Sequence, residues 1–265
     1  MSIFWSFTRQ SFHNTAIYRF EYWLQLVSAF LMMYSVYWIW NILYSEHPGA
    51  FGVSLNQMAT YGVLGMALEA IFNPGQGPQM YISSQIKSGS IDTDLIKPLD
   101  FHLHMLARNF GEISFRFGTI VLPAALVGVL FLDLKPPVSA LNALLFVVSL
   151  LLGYLVLFSL NFLLGMVSVL TIDIRSITWT YNSLLRFFAG QMVPLWLFPG
   201  WLNGLANALP FKCIFSIPLS IYIGKQTGAG VWESLLFQAV WVAGLLVICR
   251  LTWSAVHSKL AVQGG

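Results

Sequence analysis

The sequence predicts an all-α protein that crosses a membrane several times. Hydrophobic residues make up 57% of the 265-residue chain and only 9% are charged, whereas ordinary soluble domains contain about 25% charged residues. The mean hydropathy is +0.74. Apolar stretches of the length that a bilayer requires, about 20 residues, recur along most of the chain. We therefore expect a single polytopic transmembrane domain over residues 1–265.

Six apolar stretches are predicted to span the membrane. The second is irregular, because it carries Glu69 and the helix-breaking run Asn73–Pro74–Gly75. An even number of spans agrees with both termini lying on one side. The predicted spans are residues 22–44, 55–81, 115–132, 141–171, 178–198 and 235–253.

The N-terminal residues 1–21 form a predicted interfacial helix that lies on the membrane. Phe4, Phe12, Ala16 and Phe20 are separated by multiples of four residues, which places them on one helix face. Polar residues such as Arg9 lie mostly on the other side. This two-sided pattern is typical of a helix in the membrane plane. The alternative is a polar lead into the first span.

Residues 199–224 are apolar but do not read as one straight helix. Prolines and glycines, among them Pro199, Gly204, Pro210 and Pro218, interrupt the segment repeatedly. Short helices that enter the bilayer and return fit this pattern, provided that protein covers the broken backbone. We expect re-entrant helices here, with a seventh span as the competing interpretation.

The distribution of positive charge predicts the orientation. Of the 13 Lys and Arg residues, all but Lys135, Lys212 and Lys225 fall on the side that carries both termini and the connection 88–100. Cytoplasmic loops of membrane proteins are enriched in Lys and Arg. We therefore expect both termini and this connection in the cytoplasm. Cys213 and Cys249 are expected near opposite faces of the membrane and unpaired.

The sequence carries no recognisable catalytic or metal-binding motif. It has no GxxxxGK[ST] phosphate-binding loop and no HExxH, CxxC or GxSxG pattern, and its five histidines are scattered. A formal net charge of +3 is too small to suggest nucleic-acid binding. We therefore expect a transporter or channel component, with no metal site and no enzymatic activity of its own.

A few polar residues inside the spans are candidates for a translocation pathway. Glu69 is the only acidic residue well inside a predicted span, and Asn161 and Gln191 are notable polar residues elsewhere in the spans. Charged residues within membrane spans often mark substrate or proton pathways. For Glu69 a pathway role and a packing role remain equally open. Arg186 is expected to extend to the lipid headgroups.

The polar connection Ser88–Asp100 stands out in this apolar chain. Gly89 permits a tight turn, Asp92 is predicted to cap a short helix at its amino end, and Pro98 limits that helix. An apolar helix face that enters a groove is a recurring way to bind a partner. The alternative is a solvated loop. The residues predicted to form the apolar face are Ile91, Leu95, Ile96 and Leu99.

Three passages make the chain resemble the permease subunits of ABC-2-type transporters, in particular a bacterial branch that works with a separate ATPase. They occur in the expected order, and the likeness extends over essentially the whole chain. The passages are IKSGSIDTDLIKPL at 86–99, GQMVPLWLFPGWL at 190–202, and LPF at 209–211 followed by PLSIYIG at 218–224.

The resemblance implies a six-span subunit of an ATP-driven exporter in the bacterial inner membrane. It implies a coupling helix within 88–106, re-entrant outer helices before the last span, and a second permease subunit, for which a heterodimer is favoured over a homodimer. Two copies of an ABC ATPase would hold ATP and Mg²⁺, so that this chain needs no cofactor. The expected solute is hydrophobic or amphipathic.

The implied ATPase-coupling residues are Gly89, Ile91, Asp92, Leu95, Ile96, Lys97, Pro98 and Leu99. The alternative function is a proton-coupled secondary transporter that uses Glu69 as its relay.

Overall fold

The computed structural model describes residues 2–15, 19–47, 51–132, 134–171 and 173–263. Within these ranges the protein is helical and contains no strand. The helices are α1 (Ser2–Thr15), α2 (Arg19–Glu46), α3 (Leu55–Phe72), α4 (Pro78–Lys87), α5 (Ile91–Leu95), α6 (Phe101–Arg116), α7 (Leu122–Phe131), α8 (Ala140–Met166), α9 (Arg175–Phe188), α10 (Gly200–Ala208), α11 (Ser216–Tyr222) and α12 (Ala229–Gln263).

Four helical stretches of the described chain are long and apolar enough to cross a membrane. A bent pair of helices, which meet at 73°, makes a fifth if the pair is counted as one span. The predicted all-helical membrane class is therefore confirmed, whereas the count of six spans is not. The four stretches are Trp23–Glu46, Phe101–Phe131, Ala140–Val169 and Ala229–Val256, and the bent pair is Gly200–Ala208 with Pro210–Tyr222.

The predicted second span is broken into two helices. The α3 helix begins with a capping box, in which Ser54 and Gln57 satisfy each other's backbone N–H groups. It ends at Phe72, because Asn73 adopts the left-handed region with a φ of 36° and Pro74 follows it. A short 3₁₀ turn leads to α4, which starts at Pro78. The break falls at the run Asn73–Pro74–Gly75, where the sequence predicts an irregular span.

The predicted fifth span is also shorter than expected. The α9 helix contains 14 residues, which corresponds to about 21 Å, less than the roughly 30 Å of a bilayer core. It ends at Phe188, and Gly190 then adopts a φ of 69°. The apolar sequence continues to Phe198, but Pro194 and a 3₁₀ turn at Leu195–Leu197 replace the helix.

The predicted third span belongs to a longer helix. It begins at Phe101 rather than near Phe115, and a π-helical turn at Phe117–Val121 joins α6 to α7. The whole stretch of 31 residues is about 46 Å long at 1.5 Å per residue. Its polar first half therefore extends well past the thickness of a bilayer core.

The N-terminal helix α1 packs along the polar half of this long helix. Thr8 and Ser11 are buried in the contact, where the Cβ of any side chain at Gly111 would lie 2.3 Å from the Thr8 carbonyl oxygen. The aromatic residues Trp5 and Phe12 remain exposed. The buried side of α1 thus includes small polar residues, and Trp5 and Phe12 keep exposed ring surface although each also contacts a phenylalanine of α6. Ala16 and the side chain of Phe20, part of the predicted apolar face, lie outside the described residues.

The broken segment after α9 forms part of the core. Ile217, Leu219 and Ile221 on α11 are almost completely buried. Gly153 on α8 allows this contact, because a Cβ there would lie 2.5 Å from the Cys213 carbonyl oxygen. Buried Gln238 on α12 donates to that same carbonyl at 2.8 Å. The irregular backbone is thus covered by protein and supplied with a hydrogen-bond donor. Both cysteines are buried and unpaired, as predicted.

Candidate translocation cavity and coupling segment

The coupling segment, residues Gly89–Leu99, has the predicted glycine turn followed by a short helix. Gly89 adopts a φ of 68°, a region that favours glycine over other residues. Open space surrounds the position, so backbone conformation rather than crowding calls for glycine there. The helix α5 follows at Ile91–Leu95. The chain therefore turns sharply between α4 and α5.

Ser90, not Asp92, occupies the position before α5. The Ser90 carbonyl accepts hydrogen bonds from Thr93, from the backbone N–H at 3.2 Å and from Oγ1 at 2.7 Å. Asp92 is the second residue of the helix. The side chains of Asp92 and Leu95 lie outside the described residues. The helix ends at Leu95, three residues before Pro98.

The predicted apolar face of the coupling segment is divided. Ile91 is 5% exposed and belongs to the protein's own core, whereas Ile96 is 83% exposed. Leu99 is partly buried. The structure therefore buries Ile91 in the core instead of exposing it to a partner. Ile96 lies in the turn after α5, where its side chain is exposed to a partner.

Asp94 anchors the coupling segment to the rest of the protein. It is 2% exposed and accepts hydrogen bonds from Tyr81 Oη at 2.9 Å and from Gln85 Nε2 at 3.0 Å, both on α4. Lys97 Nζ lies 2.5 Å from its other oxygen. Burial alone would raise the pKa of Asp94, but hydrogen bonds from Lys97, Gln85 and Tyr81 outweigh it and lower the pKa.

Lys97 extends these contacts from the coupling segment to α6. Its ammonium lies 3.3 Å from Nε2 of His104 and also near the ring of Phe7 on α1. The segment is thus fixed to α4, to α6 and to the N-terminal helix at once. Sequence reasoning passed over Asp94, although the three-residue spacing to Lys97 suggests an ion pair.

A cavity of about 610 Å³ lies between α2, α3 and the residues that follow α9. Glu69 and Arg186 line it and form an ion pair, with Arg186 Nη2 2.7 Å from Glu69 Oε1. Gln191 Nε2 donates to the other carboxylate oxygen of Glu69. The cavity is otherwise mostly apolar, with side chains such as Leu24, Met32, Met66, Ile120 and Met192 in its wall.

Gln191 reaches Glu69 because the chain breaks after α9. Gly190 turns with its positive φ, and Tyr61 Oη donates to its carbonyl oxygen at 2.5 Å. Gly65 on α3 lets the backbone approach, since a Cβ there would lie 2.6 Å from the Gln191 carbonyl oxygen. The early end of α9 therefore assembles the polar part of this cavity.

A comparison with sequence models of protein families agrees with the apolar, membrane-spanning character of the helices. The sequence model described as an ABC-2 family transporter protein matches residues 30–264. The chain belongs to the ABC-2 family of transporter proteins. A comparison with curated proteins finds no match to it.

In this ABC-2 transporter protein, the structure brings two of the three predicted pathway residues together. Glu69 and Gln191 share the cavity. Asn161 on α8 is buried elsewhere, where a Cβ on Gly77 would lie 2.7 Å from its Nδ2. Arg186, which sequence reasoning directed to the headgroups, is the ion-pair partner of Glu69. Its position 117 residues away along the chain leaves no local signal for that pairing.

Proposed function

We propose that this ABC-2 protein is the membrane-spanning permease subunit of an ATP-driven exporter. Its family membership and the mostly apolar cavity around Glu69 are the main support. A second permease subunit would complete the pathway, with a heterodimer favoured over a homodimer. A cavity with an apolar wall and one polar cluster suits a hydrophobic or amphipathic solute.

The coupling segment is the proposed contact with the ATPase. This segment exposes Ile96 and is anchored by buried Asp94, so that a partner could bind the segment without changing its conformation. Two ABC ATPase subunits, which would hold the ATP and Mg²⁺, would close on nucleotide binding and move such segments as rigid bodies. Hydrolysis belongs to the partner in this proposal, and this chain contributes no catalytic residue.

The proposed topology has six spans in the bacterial inner membrane, with both termini and the coupling segment in the cytoplasm. The excess of Lys and Arg on that side supports it. In this topology α3 and α9 cross with the help of the irregular segments that follow them, α1 lies at the interface, and α10 with α11 forms the outer re-entrant pair. Cover from α8 and α12 over the broken backbone near Cys213 favours that last assignment.

Family membership favours this function over a proton-coupled carrier that uses Glu69. The geometry points the same way, because the Glu69 carboxylate is already engaged by Arg186 and Gln191. In the proposed permease this cluster lines the solute pathway. The carrier would need the carboxylate to release both partners in each cycle.

The coupling proposal is tested by co-expressing the chain with its ATPase and replacing Ile96 by Asp. A carboxylate at this exposed position would have to be desolvated in an apolar groove, so we expect the complex to be lost on purification. The control Ile96→Val keeps an apolar side chain and should retain both the complex and its ATP hydrolysis. If Ile96→Asp still co-purifies and hydrolyses ATP at the rate of the original protein, the docking proposal fails.

A further inference from the structure

A second cavity, of about 360 Å³, lies between α1, α6 and the coupling segment. Four residues of α6 at four-residue intervals form one wall, so that they share a helix face. Lys97 contributes from the coupling segment, and α1 covers the cavity with polar residues that include Gln10 and Asn14. The four wall residues are His104, Arg108, Glu112 and Arg116.

Positive charge exceeds negative charge among the residues that line this cavity. Three cationic side chains face one carboxylate, that of Glu112. Arg108 pairs with Glu112 at 3.2 Å, and Lys97 pairs with Asp94. Arg116 is only 7% exposed, and its hydrogen-bond acceptors are neutral amides: Gln76 Oε1 at 3.4 Å and the Asn73 amide oxygen at 2.7 Å. Within the described part of the chain, this buried guanidinium forms no salt bridge, because the nearby Glu112 carboxylate is paired with Arg108.

Two buried N–H groups in the wall also lack acceptors within the described structure. Arg116 Nε has no hydrogen-bond partner there. His104 Nε2 faces the Lys97 ammonium, which can only donate. Nε2 must therefore accept, so the proton lies on Nδ1, and Nδ1 is buried without a partner. Burying such donors unsatisfied is costly. His104 and Arg116 are 12 positions apart on α6, about 18 Å at 1.5 Å per residue, so one anion can meet only one of these donors, and an anion beside Arg116 would satisfy its Nε.

This second cavity, termed the cationic cavity, adjoins the 610 Å³ cavity around Glu69, termed the translocation cavity. Gln25 and Gln76 line both of them. One side of this shared wall is polar and positively charged, and the other is mostly apolar and carries residues such as Leu24 and Met32. An amphiphile with a negatively charged head matches this pair of environments.

We propose that the cationic cavity binds the phosphate of an anionic amphiphile whose tail lies in the translocation cavity. The assignment of the tail rests on the proposed permease function, and the head site stands on its own contacts. Phosphate oxygens suit the Arg116 end of this cavity because guanidinium N–H groups form strong, charge-assisted hydrogen bonds with them. The inference extends the proposed function from an unspecified amphipathic solute to an anionic one.

The test measures binding of phosphatidylglycerol to the purified full chain, by its effect on the thermal unfolding midpoint in mixed micelles with phosphatidylcholine. Arg116→Gln removes the buried charge and should weaken apparent affinity by about tenfold or more. Asn14→Asp places a negative charge at the cavity, where it would repel the lipid phosphate, and should also weaken the apparent affinity. Because Asn14 is exposed on α1, this change leaves the protein core unaltered. The matched control is Arg250→Gln, at an exposed arginine on α12 outside both cavities, which should bind normally.

Two further measurements distinguish binding of a lipid from binding of a free anion. Ser28→Trp fills the translocation cavity from an exposed position, so it should weaken phosphatidylglycerol and leave inorganic phosphate unaffected. If inorganic phosphate binds as tightly as the lipid and Ser28→Trp changes neither, the amphiphile assignment is overturned. If Arg116→Gln and Asn14→Asp both bind the lipid like the original protein, the site itself is overturned. Ile96→Asp should bind normally, which keeps this result independent of ATPase coupling.

Discussion

At the scale of single residues, Asp94 holds the coupling segment through contacts with three polar side chains. Tyr81 and Gln85 on α4 donate to it, and Lys97 pairs with it from the turn after α5. A buried carboxylate is tolerated when its oxygens are fully engaged in this way. The exposed position of Ile96 therefore depends on a neighbour two residues away that is almost fully buried.

Replacing Asp94 by Ala should destabilise the protein. The change leaves partly buried donors on α4 without their acceptor, at a cost of about 1–3 kcal/mol. Thermal unfolding in detergent would show a lower midpoint for Asp94→Ala. The control is Asp173→Ala, because Asp173 forms an exposed ion pair with Lys87 at 3.0 Å, and such pairs contribute little. Equal midpoints for Asp94→Ala and the original protein would contradict the anchoring role.

The lowered pKa of Asp94 predicts how its contribution to stability depends on pH. The pKa of Asp94 is lowered in the folded protein from its ordinary value of 3.8. The ionised form is thus favoured by folding, and its stabilising contribution is complete above that ordinary value and lost as the pH falls through the lowered folded value. Between pH 7 and pH 5, the stability difference between the original protein and Asp94→Asn should stay constant. It should shrink only below about pH 4, which unfolding midpoints across this range would measure.

At the scale of elements, close approach at glycines allows the broken segments to pack. Gly153 admits the Cys213 carbonyl to the surface of α8, and Gly65 admits the Gln191 carbonyl to the surface of α3. Small residues at helix contacts are a general feature of membrane proteins, because they let backbones approach. In both places the contact is with irregular backbone instead of a second helix.

Replacing Gly153 by Ala should therefore loosen the core. The new Cβ would lie 2.5 Å from a backbone oxygen, so α8 and the segment near Cys213 must separate, at a cost of about 1–3 kcal/mol. A matched control is Gly244→Ala on α12, where a Cβ meets nothing within 4 Å. Its unfolding midpoint should stay the same or rise, since alanine favours helix. A midpoint for Gly153→Ala that matches the control would show that the contact is not tight.

At the scale of the whole molecule, the proposed topology places the two ends of the helices in different compartments. Arg9 on α1 and Thr93 on α5 should face the cytoplasm, and Glu46 after the first span and Thr227 before the last should face outside. All four side chains are exposed. Both native cysteines are fully buried, so they should give little background in a labelling experiment.

Single cysteines at these positions test that topology. In intact cells, a membrane-impermeant thiol reagent should label Glu46→Cys and Thr227→Cys. The same reagent should label Arg9→Cys and Thr93→Cys only after the membrane is permeabilised. This pattern follows from an even number of spans with both termini inside. Labelling of Arg9→Cys and Thr227→Cys from the same side would exclude six spans with outer re-entrant helices.

Composition and local chemistry were enough to predict the class of this protein and its main landmarks. The apolar content requires a membrane, because so few charges cannot cover a soluble surface. The glycine at position 89 and the prolines between 199 and 224 predict a turn and a broken segment from backbone chemistry alone, and the structure has both. The family, too, is recognisable from short passages of sequence.

Contacts between residues that are far apart in the sequence determined the features that local patterns did not predict. Hydropathy overestimated the helix that ends at Phe188, because the apolar sequence continues where the backbone turns. Glu69 and Gln191 meet across 122 residues of chain, and the burial of Ile91 depends on which helices surround α5. Such contacts depend on how helices pack in three dimensions, which local propensity and hydropathy do not encode. The sequence therefore determined a helical ABC-2 membrane protein with a turn at Gly89, while the tertiary structure alone decided which side chains meet in its two cavities.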